Sequence, residues 1–360
     1  MQSGESSLTN GRSVLPLTIN LLIYRIFTRI PVMFFQNSGS AAALTALYSG
    51  LVALGIICLF GLAGKCLNVN IVEAARGAFG KVGSYAVTVV VLIYLFISGI
   101  VALENAARLT LLISFPDSPL YFAAALLVLG AVCGALGGRE AVLRLHRLFV
   151  PIVLIVTGLT IASTLFRGDE ARLTPILGKG AEAIFGKGLS GVFMYTDIIL
   201  LLLLNPCELG VSKCKKTVLI GTVIGVAVNC AAVLAFNLNL PERVLQDGKM
   251  PMYLLMKEVY YGRFFQRIDA ILLLGSGLSY MLYLALNIFL FSDTAVKGFE
   301  FARTKSLVLG YALAVFVSVL GFEAAQSINV TIMMFISAAG VAAILALVVI
   351  FARRGKRSET

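Results

Sequence analysis

Long apolar runs separated by shorter polar or charged stretches dominate the sequence. Most of them reach the roughly 17–25 residues that a helix needs to cross a bilayer. They lack the alternation of apolar and polar positions that strands show, and lipid tolerates only helices or closed barrels. The pattern therefore predicts an all-α polytopic membrane protein with ten transmembrane helices. These ten runs, numbered spans 1 to 10, are residues 14–35, 41–62, 84–113, 120–136, 148–166, 189–207, 217–236, 268–291, 307–322 and 328–351.

The same pattern predicts one transmembrane domain over residues 14–352, with a polar segment at each end. Residues 1–13 are expected to form a disordered cytoplasmic tail, and residues 353–360 a basic cytoplasmic tail. No cleavable signal is predicted, because the first apolar run is long enough to span the bilayer. Five runs fall within about 14–166 and five within about 189–351, which suits a five-plus-five repeat.

Composition agrees with a membrane location and excludes a soluble enzyme. The chain is 59% hydrophobic and 13% charged, and its mean hydropathy is +0.96. Soluble domains carry about 25% charged residues, so this chain could not cover a globular surface with polar groups.

The net charge of +11 is explained by membrane topology. If the N-terminus is cytoplasmic, most lysines and arginines fall in cytoplasmic segments, and the two long outer loops carry balanced charge. This asymmetry predicts that both termini are cytoplasmic. It predicts attraction to anionic lipid and gives no reason to expect nucleic-acid binding.

The two long outer loops, residues 167–188 and 239–267, mix charged and apolar residues at helical spacing. In the second loop the apolar positions are Met252, Leu255, Met256 and Val259. The spacing indicates short helices at the membrane interface, although simple connectors explain these loops equally well.

Little in the sequence suggests metal or catalytic chemistry. The chain has no Trp, one His and six Cys, and no two cysteines have C-x-x-C spacing. The single histidine, His146, lies between Arg144 and Arg147, and we interpret this stretch as a solvated basic loop. We therefore predict no cofactor, no metal site and no enzymatic activity.

Five charged residues fall inside the apolar runs, where a charge costs about 2.5–3.5 kcal/mol on insertion scales. Arg25 and Arg29 lie in span 1, Glu104 and Arg108 in span 3, and Asp197 in span 6. Glu104 and Arg108 are spaced to pair on one helix, whereas Asp197 needs Arg25 or Arg29 as its partner. Either the five form a closed ion network that pins helices, or the surplus positive charge faces a cavity and receives an anionic group.

Spans 3 and 8 each carry a stripe of polar residues at helical spacing. Hydrogen bonds between helices and the lining of a cavity explain such stripes equally well. The stripe of span 3 is Tyr94, Ser98, Asn105 and Arg108, and that of span 8 is Ser276, Tyr280, Tyr283 and Asn287.

Spans 1 and 6 both contain features that interrupt a helix. Pro31 removes a backbone donor and disfavours a helical Ile30, and Tyr195, Thr196 and Asp197 place polar groups in the middle of span 6. Interrupted helices in matching positions of two halves are typical of transporter binding sites. We therefore predict an inverted five-plus-five repeat with broken helices 1 and 6.

The chain resembles a known family over nearly its whole length, and three sequence segments carry most of the resemblance. They are LTPILGKG (173–180), LLLLLNPCE (200–208) and MPMYLLMKEVYYGRFFQRIDAILLL (250–274). With the ten-span layout, they make the chain similar to the permease-like B subunit of endospore nutrient germinant receptors. This spore germination permease family belongs to the amino acid–polyamine–organocation superfamily.

The resemblance implies a ten-helix inverted repeat with broken helices 1 and 6 in the spore inner membrane. It implies a site for a small germinant, commonly an amino acid, and a complex with a larger A subunit and a C-subunit lipoprotein. Members usually carry a small stretch rich in Gly and Ser at the helix 1 break, where this chain has Phe27-Thr28-Arg29-Ile30. The cation at Arg29 suggests a more anionic ligand.

Our leading hypothesis is a ligand-sensing subunit that binds a small nutrient at mid-membrane and signals to its partners. The alternatives are a proton-coupled transporter of amino acids or other organic solutes, with Asp197 or Glu104 as carrier, and a conduit for ions or water. The predicted ligand-binding residues are Thr28 and Arg29 for an anionic end, Tyr195, Thr196 and Asp197 for an amino or polar end, and Ser98, Ser276 and Tyr280 for the cavity wall. Glu104 and Arg108 would form an outer gate, and Arg25 would complete the ion network.

Overall fold

The computed structural model describes residues 14–28, 30–63, 71–166, 168–204, 211–241, 243–244, 250–258, 268–301, 305–322 and 339–340. Every regular element in this part of the chain is helical, which confirms the all-α prediction. In chain order the helices are α1 (Val14–Phe27), α2 (Val32–Ser38), α3 (Ala42–Ala63), α4 (Ile71–Ser114), α5 (Leu120–Leu136), α6 (Gly138–Leu165), α7 (Ala181–Phe185), α8 (Lys187–Leu204), α9 (Val211–Asn239), α10 (Pro251–Glu258), α11 (Ile268–Phe299) and α12 (Lys305–Phe322).

The helices form an integral membrane protein. Six candidate spans in the described chain are long and apolar enough to cross a bilayer, and three further apolar helices are shorter. Large apolar side chains stand exposed along single helix faces, as at Leu309, Leu313 and Val317 of α12. Such faces suit contact with lipid rather than water. Span 10 lies outside the described residues except for 339–340, so the count of ten helices and the inverted repeat stay predictions.

Span 1 is broken where the sequence predicts. The last turn of α1, Tyr24–Phe27, is a 3-10 turn, and Thr28 has an extended backbone (φ −85°, ψ −176°). The Thr28 side chain bridges the break, because its Oγ1 donates to the Arg25 carbonyl (2.6 Å) and accepts from the Ile30 N–H (3.1 Å). Pro31 then precedes α2, at a position where a missing N–H costs no helical hydrogen bond.

Span 6 differs from the prediction, because α8 has no break at Tyr195–Asp197. Residues Lys187–Leu204 instead form one continuous 3-10 helix. A rise of about 2.0 Å per residue makes these 18 residues about 35 Å long, which is enough to cross the hydrocarbon core. Close packing accompanies this winding, since a Cβ on Gly191 would lie 2.3 Å from the Ser49 Oγ of α3.

The helix of span 3, α4, is longer than predicted and is bent. α4 runs for 44 residues, and Gly80 inside it has a positive φ (φ 71°, ψ −169°), a conformation that glycine adopts without steric cost. The part before the bend buries Ile71, Val72 and Ala75. Residues Phe79–Ser114 form the membrane-crossing part, so the long apolar run predicted for span 3 is confirmed.

The prediction of a solvated loop around His146 is wrong. α6 begins at Gly138, ten residues before the apolar run, so His146 belongs to a helix. Its side chain is fully buried, and its Nδ1 lies 2.8 Å from the Val142 carbonyl one turn earlier. Arg144 and Arg147 are exposed on the other side of the same helix, where their charges misled the interpretation.

The long loops contain short helices, as their spacing indicated. α7 and the 3-10 turn Glu170–Leu173 belong to the first loop, and α10 belongs to the second. α10 packs on α1, α9 and α11 and buries Met252, Leu255 and Met256, so its apolar face meets protein. Val259 lies outside the described residues.

α11 is central to the bundle. It packs against α4, α5, α6 and α12. On the other side α3 packs against α8 and α9, and the end of α1 contacts α11. The break in span 1 therefore lies close to α11, where the buried polar groups of the protein gather.

Candidate functional site

A buried ion pair joins the broken end of α1 to the middle of α8. Asp197 Oδ2 lies 2.6 Å from Arg25 Nη2 and accepts from Arg25 Nε at 2.7 Å. Both side chains have no exposed surface. The sequence left Arg25 and Arg29 as alternative partners of Asp197, and the structure selects Arg25. Arg29 lies outside the described residues.

Two tyrosines complete the shell around Asp197. The Tyr24 hydroxyl donates to Asp197 Oδ2, and the Tyr94 hydroxyl of α4 donates to Oδ1. Arg25 Nη1 donates to the Phe193 carbonyl (3.1 Å), so it holds α8 at a second point. Because a buried carboxylate is stable only with such donors, this shell explains why Asp197 is tolerated in the middle of an apolar helix.

Aromatic rings from α11 pack on one side of this group. The Tyr24 ring stacks on Tyr283, with centroids 3.9 Å apart, and Tyr280 meets Tyr24 edge-on at 6.1 Å. Tyr280 and Tyr283 are fully buried. The Tyr280 hydroxyl has no hydrogen-bond partner among the described residues, so a buried polar atom is left over beside this group. We call Tyr24, Arg25, Tyr94 and Asp197 the charged cluster.

A second, neutral group lies one helical turn further along α4 and α11, beyond Tyr94 and Tyr283. Asn287 Nδ2 donates to Ser98 Oγ (3.0 Å) and to the Leu95 carbonyl (3.1 Å). The Tyr311 hydroxyl of α12 reaches the Leu95 carbonyl (2.8 Å) and Asn287 Oδ1 (2.5 Å). We call Ser98, Asn287 and Tyr311 the neutral network. Among the stripe residues, Tyr94, Ser98 and Asn287 therefore make hydrogen bonds between helices, whereas Asn105 and Ser276 bond within their own helices.

Three predicted site residues use their hydroxyls within their own segments. Thr28 bonds across the helix break, Thr196 Oγ1 donates to the Phe193 carbonyl (2.8 Å), and Ser276 Oγ donates to the Leu272 carbonyl (2.8 Å). Thr28 and Ser276 are buried, and Thr196 is half-buried.

The structure separates Tyr195 from Asp197. The Tyr195 ring is buried beside α3 and α9, where its hydroxyl would lie 3.3 Å from a Cβ on Gly50. That hydroxyl has no hydrogen-bond partner in the described part of the chain. In a 3-10 helix, residues two apart point about 120° apart, so Tyr195 and Asp197 face different neighbours.

Glu104 and Arg108 form their own pair, as predicted. Arg108 Nε lies 3.0 Å from Glu104 Oε1, and the side chains are 31% and 16% exposed, Arg108 being the more exposed. Across the described residues no hydrogen bond or ion pair links this pair to Arg25 and Asp197. The four described charges therefore cancel in two separate pairs.

Sequence reasoning missed two residues of these groups, Tyr24 and Tyr311. Tyr24 directly precedes Arg25, and a tyrosine next to an intramembrane charge is the signal that could have found it. Tyr311 offers no such signal. Within the described ranges, no three His, Cys, Asp or Glu side chains come together as metal ligands would.

A family model described as spore germination protein matches residues 19–328. No curated protein matches the chain significantly. Solved structures resemble it in fold. The manganese transporter of Eremococcus coleocola, bound to an aromatic bis-isothiourea substituted compound, is 12% identical with a TM-score of 0.62, covering 98% of this chain and 79% of its own.

The nucleobase-cation-symport-1 family transporter Mhp1, in a closed conformation with bromovinylhydantoin bound, is 13% identical with a TM-score of 0.64. The match covers 94% of this chain and 77% of the Mhp1 chain. At these identities the likeness establishes the fold alone. The likeness agrees with the transporter-type fold that the sequence resemblance implied.

Proposed function

We propose that this chain, which belongs to the spore germination protein family, is the ligand-sensing membrane subunit of a germinant receptor. It binds a small nutrient, an amino acid or a similar molecule, at mid-membrane and signals to partner subunits to start germination. That it is a permease-like integral membrane protein follows from the family and the fold.

The observation that carries the proposal is the position of the Arg25–Asp197 pair beside the helix break. The pair is fully buried, and it joins the last turn of α1 to α8 three residues before the extended Thr28. Breaking a buried ion pair without replacement costs about 3–5 kcal/mol. A ligand that supplies a replacement for one partner lowers this cost and so shifts the balance between two helix arrangements.

The nutrient fits this role when it carries both a carboxylate and an amino group. In the proposed bound state, Thr28 and Arg29 receive the carboxylate, and Asp197 with Thr196 receives the amino group. In the arrangement described here Asp197 is already surrounded by Arg25, Tyr24 and Tyr94, so the ligand must displace a donor. Its differential affinity for the two arrangements supplies the signal.

Ser98, Ser276 and Tyr280 would shape the cavity on the side of α4 and α11, and Tyr195 would extend it toward α3. The unpartnered Tyr280 hydroxyl supports this wall. Glu104 and Arg108 would act as a gate, for which their partial exposure is suitable.

The proposal includes partners and a location. The larger A subunit and the C-subunit lipoprotein would read the helix movement in the spore inner membrane, with both termini of this chain cytoplasmic. The charge asymmetry of the loops supports that orientation. The proposal also treats residues 14–352 as a single transmembrane domain, flanked by polar tails at 1–13 and 353–360.

Calorimetric titration of the purified protein with a nutrient panel tests the proposal. We expect one nutrient class to bind, and Arg29→Ala to weaken binding at least tenfold. Arg144→Ala is the matched control, because Arg144 is 75% exposed and, among the described residues, pairs with Glu140 one turn away. If Arg29→Ala and Arg144→Ala bound the nutrient with equal affinity, Arg29 would not be a ligand-binding residue.

A proton-coupled transporter is the second candidate, and the fold of the solved transporters favours it. Asp197 or Glu104 would then carry the proton. Uptake of the bound nutrient into proteoliposomes separates the two, since a sensor binds without accumulation. Uptake that follows an imposed proton gradient and is lost in Asp197→Asn would establish the transporter.

A further inference from the structure

A groove of about 650 Å³ lies on the outside of the bundle, between α2 and α3 on one side and the start of α8 on the other. It is separate from the charged cluster. Its wall is apolar and consists of Val52, Ile56, Leu189, Val192 and Phe193. Ile56 is 39% exposed and Leu189 is 51% exposed, so the groove opens sideways toward the lipid. We call it the α2–α8 groove.

Polar groups gather at one end of this groove only. Asn37 Nδ2 donates to Ser190 Oγ (3.2 Å), and Ser190 Oγ donates to the Lys187 carbonyl (2.6 Å). The Lys187 side chain lines the groove and is exposed. Among the described residues Lys187 takes part in no ion pair. The mouth of the groove therefore offers a cation next to two hydrogen-bonding side chains.

The groove lies within the depth of one leaflet. Ser49 Oγ donates to the Gly188 carbonyl (2.8 Å), which places Ser49 of α3 beside the start of α8, and Ile56 lies seven residues, about 10 Å, further along α3. The hydrocarbon core is about 30 Å thick, so the chains of one leaflet reach about 15 Å. An acyl chain that starts at Lys187 would extend to Ile56 and Phe193.

We propose that the α2–α8 groove binds one anionic phospholipid from the adjacent leaflet. The phosphate lies at Lys187 with Asn37 and Ser190, and one acyl chain follows the apolar wall. A lysine near the membrane surface attracts anionic lipid, and its long stem can lie along apolar surface while the ammonium stays at the headgroup level. This charge match selects an anionic lipid over a neutral one.

The bound lipid would act on the charged cluster through Phe193. The carbonyl of this residue accepts from Arg25 Nη1 (3.1 Å), and its side chain lines the groove. A lipid chain in the groove would therefore contact the residue that also holds the Arg25 side chain. The inference concerns lipid alone and holds whether or not the protein senses a nutrient.

Photocrosslinking in nanodiscs tests the proposal. The probes are phosphatidylglycerol and phosphatidylcholine with the same diazirine-labelled acyl chain, and mass spectrometry maps the labelled peptides. We expect the peptide around residues 187–193 to be labelled about five times more by phosphatidylglycerol, the preference that one lysine provides.

Three variants of the full chain sharpen the test. Lys187→Gln should reduce phosphatidylglycerol labelling to the phosphatidylcholine level, and Lys216→Gln, an exposed lysine on α9 that does not line the groove, should leave it unchanged. Val52→Phe fills the groove and should reduce labelling by both lipids.

Labelling that is equal for both lipids and unaffected by Lys187→Gln would overturn the proposal, because only the general lipid annulus would then be detected. A photoreactive side chain placed at Leu189 identifies the occupant independently. Lipid adducts there support the proposal, whereas crosslinks to a second copy or to another protein would contradict it.

Discussion

The charged cluster and the neutral network are one helical turn apart on α4 and α11, yet they hold the protein in different ways. Ser98 lies four residues after Tyr94 on α4, and Asn287 lies four residues after Tyr283 on α11. The charged cluster ties α4 to the broken end of α1 and to α8, and Tyr283 of α11 stacks on its Tyr24 ring. The neutral network ties α4 and α11 to α12.

The difference between the two groups is what happens when one partner leaves. An uncompensated buried charge costs about 3–5 kcal/mol, whereas an unsatisfied neutral group costs about 1–3 kcal/mol. A ligand that replaces a partner in the charged cluster therefore controls a large free energy. The neutral network suits a permanent connection, and the charged cluster suits a switch.

The largest expected effect comes from Asp197→Leu, which leaves Arg25 buried and without its carboxylate. The free energy of unfolding in detergent should fall by about 3–5 kcal/mol. Thr196→Val, at the preceding residue, removes a bond to the Phe193 carbonyl of the same helix and should cost less than about 1 kcal/mol. If both variants lost a similar free energy of unfolding, the ion pair would not be a major contributor to stability.

Gly99→Ala should cause the next largest loss, about 1–3 kcal/mol, because it overfills the neutral network. Its Cβ would lie 2.8 Å from the Tyr311 hydroxyl and 2.9 Å from Asn287 Oδ1. Gly158→Ala is the control, since a Cβ there meets nothing within 4 Å. Thermal unfolding midpoints compare the two, and a tolerated Gly99→Ala would contradict this packing.

Asn287→Ala removes bonds to Ser98 and Leu95 and leaves Tyr311 with one acceptor. Interhelical hydrogen bonds in membranes are worth about 0.6 kcal/mol on average, so we expect a loss of about 1–2 kcal/mol. Asn105→Ala removes only a bond to the Val101 carbonyl on the same helix and should be nearly neutral. Chemical unfolding measures both, and an Asn287→Ala loss above 3 kcal/mol would erase the contrast between the two groups.

The smallest effect is expected for Glu104→Gln. Its pair with Arg108 is local to α4 and partly exposed, so its loss should cost less than the loss of the fully buried Arg25–Asp197 pair. The unfolding midpoint should barely move. A loss as large as that of Asp197→Leu would show that Glu104 belongs to the buried network after all.

Local signals in the sequence were sufficient for part of this picture. Charges inside apolar runs are rare, so Arg25, Asp197 and the Glu104–Arg108 pair were identifiable, and Pro31 marked the break in span 1. The choice between Arg25 and Arg29 depends on how α1 and α8 rotate toward each other. The spacing of residues in the sequence does not determine how the two helices are rotated.

Other features depended on packing that no local pattern reveals. α8 stays helical through Tyr195–Asp197, so these two side chains, two residues apart, face different neighbours. His146 is buried because α6 extends ten residues beyond its apolar run. Tyr311 reaches the neutral network only because α12 packs against α4 and α11.

A double-mutant cycle on Arg25 and Asp197 tests most directly whether one buried ion pair holds the helix break to α8. Arg25→Met, Asp197→Leu and the double variant are compared with the unmodified protein by free energy of unfolding. We predict that the double variant is more stable than either single variant, with a coupling of at least about 2 kcal/mol, because no charge is then left unpaired. Losses that simply add in the double variant would contradict the account.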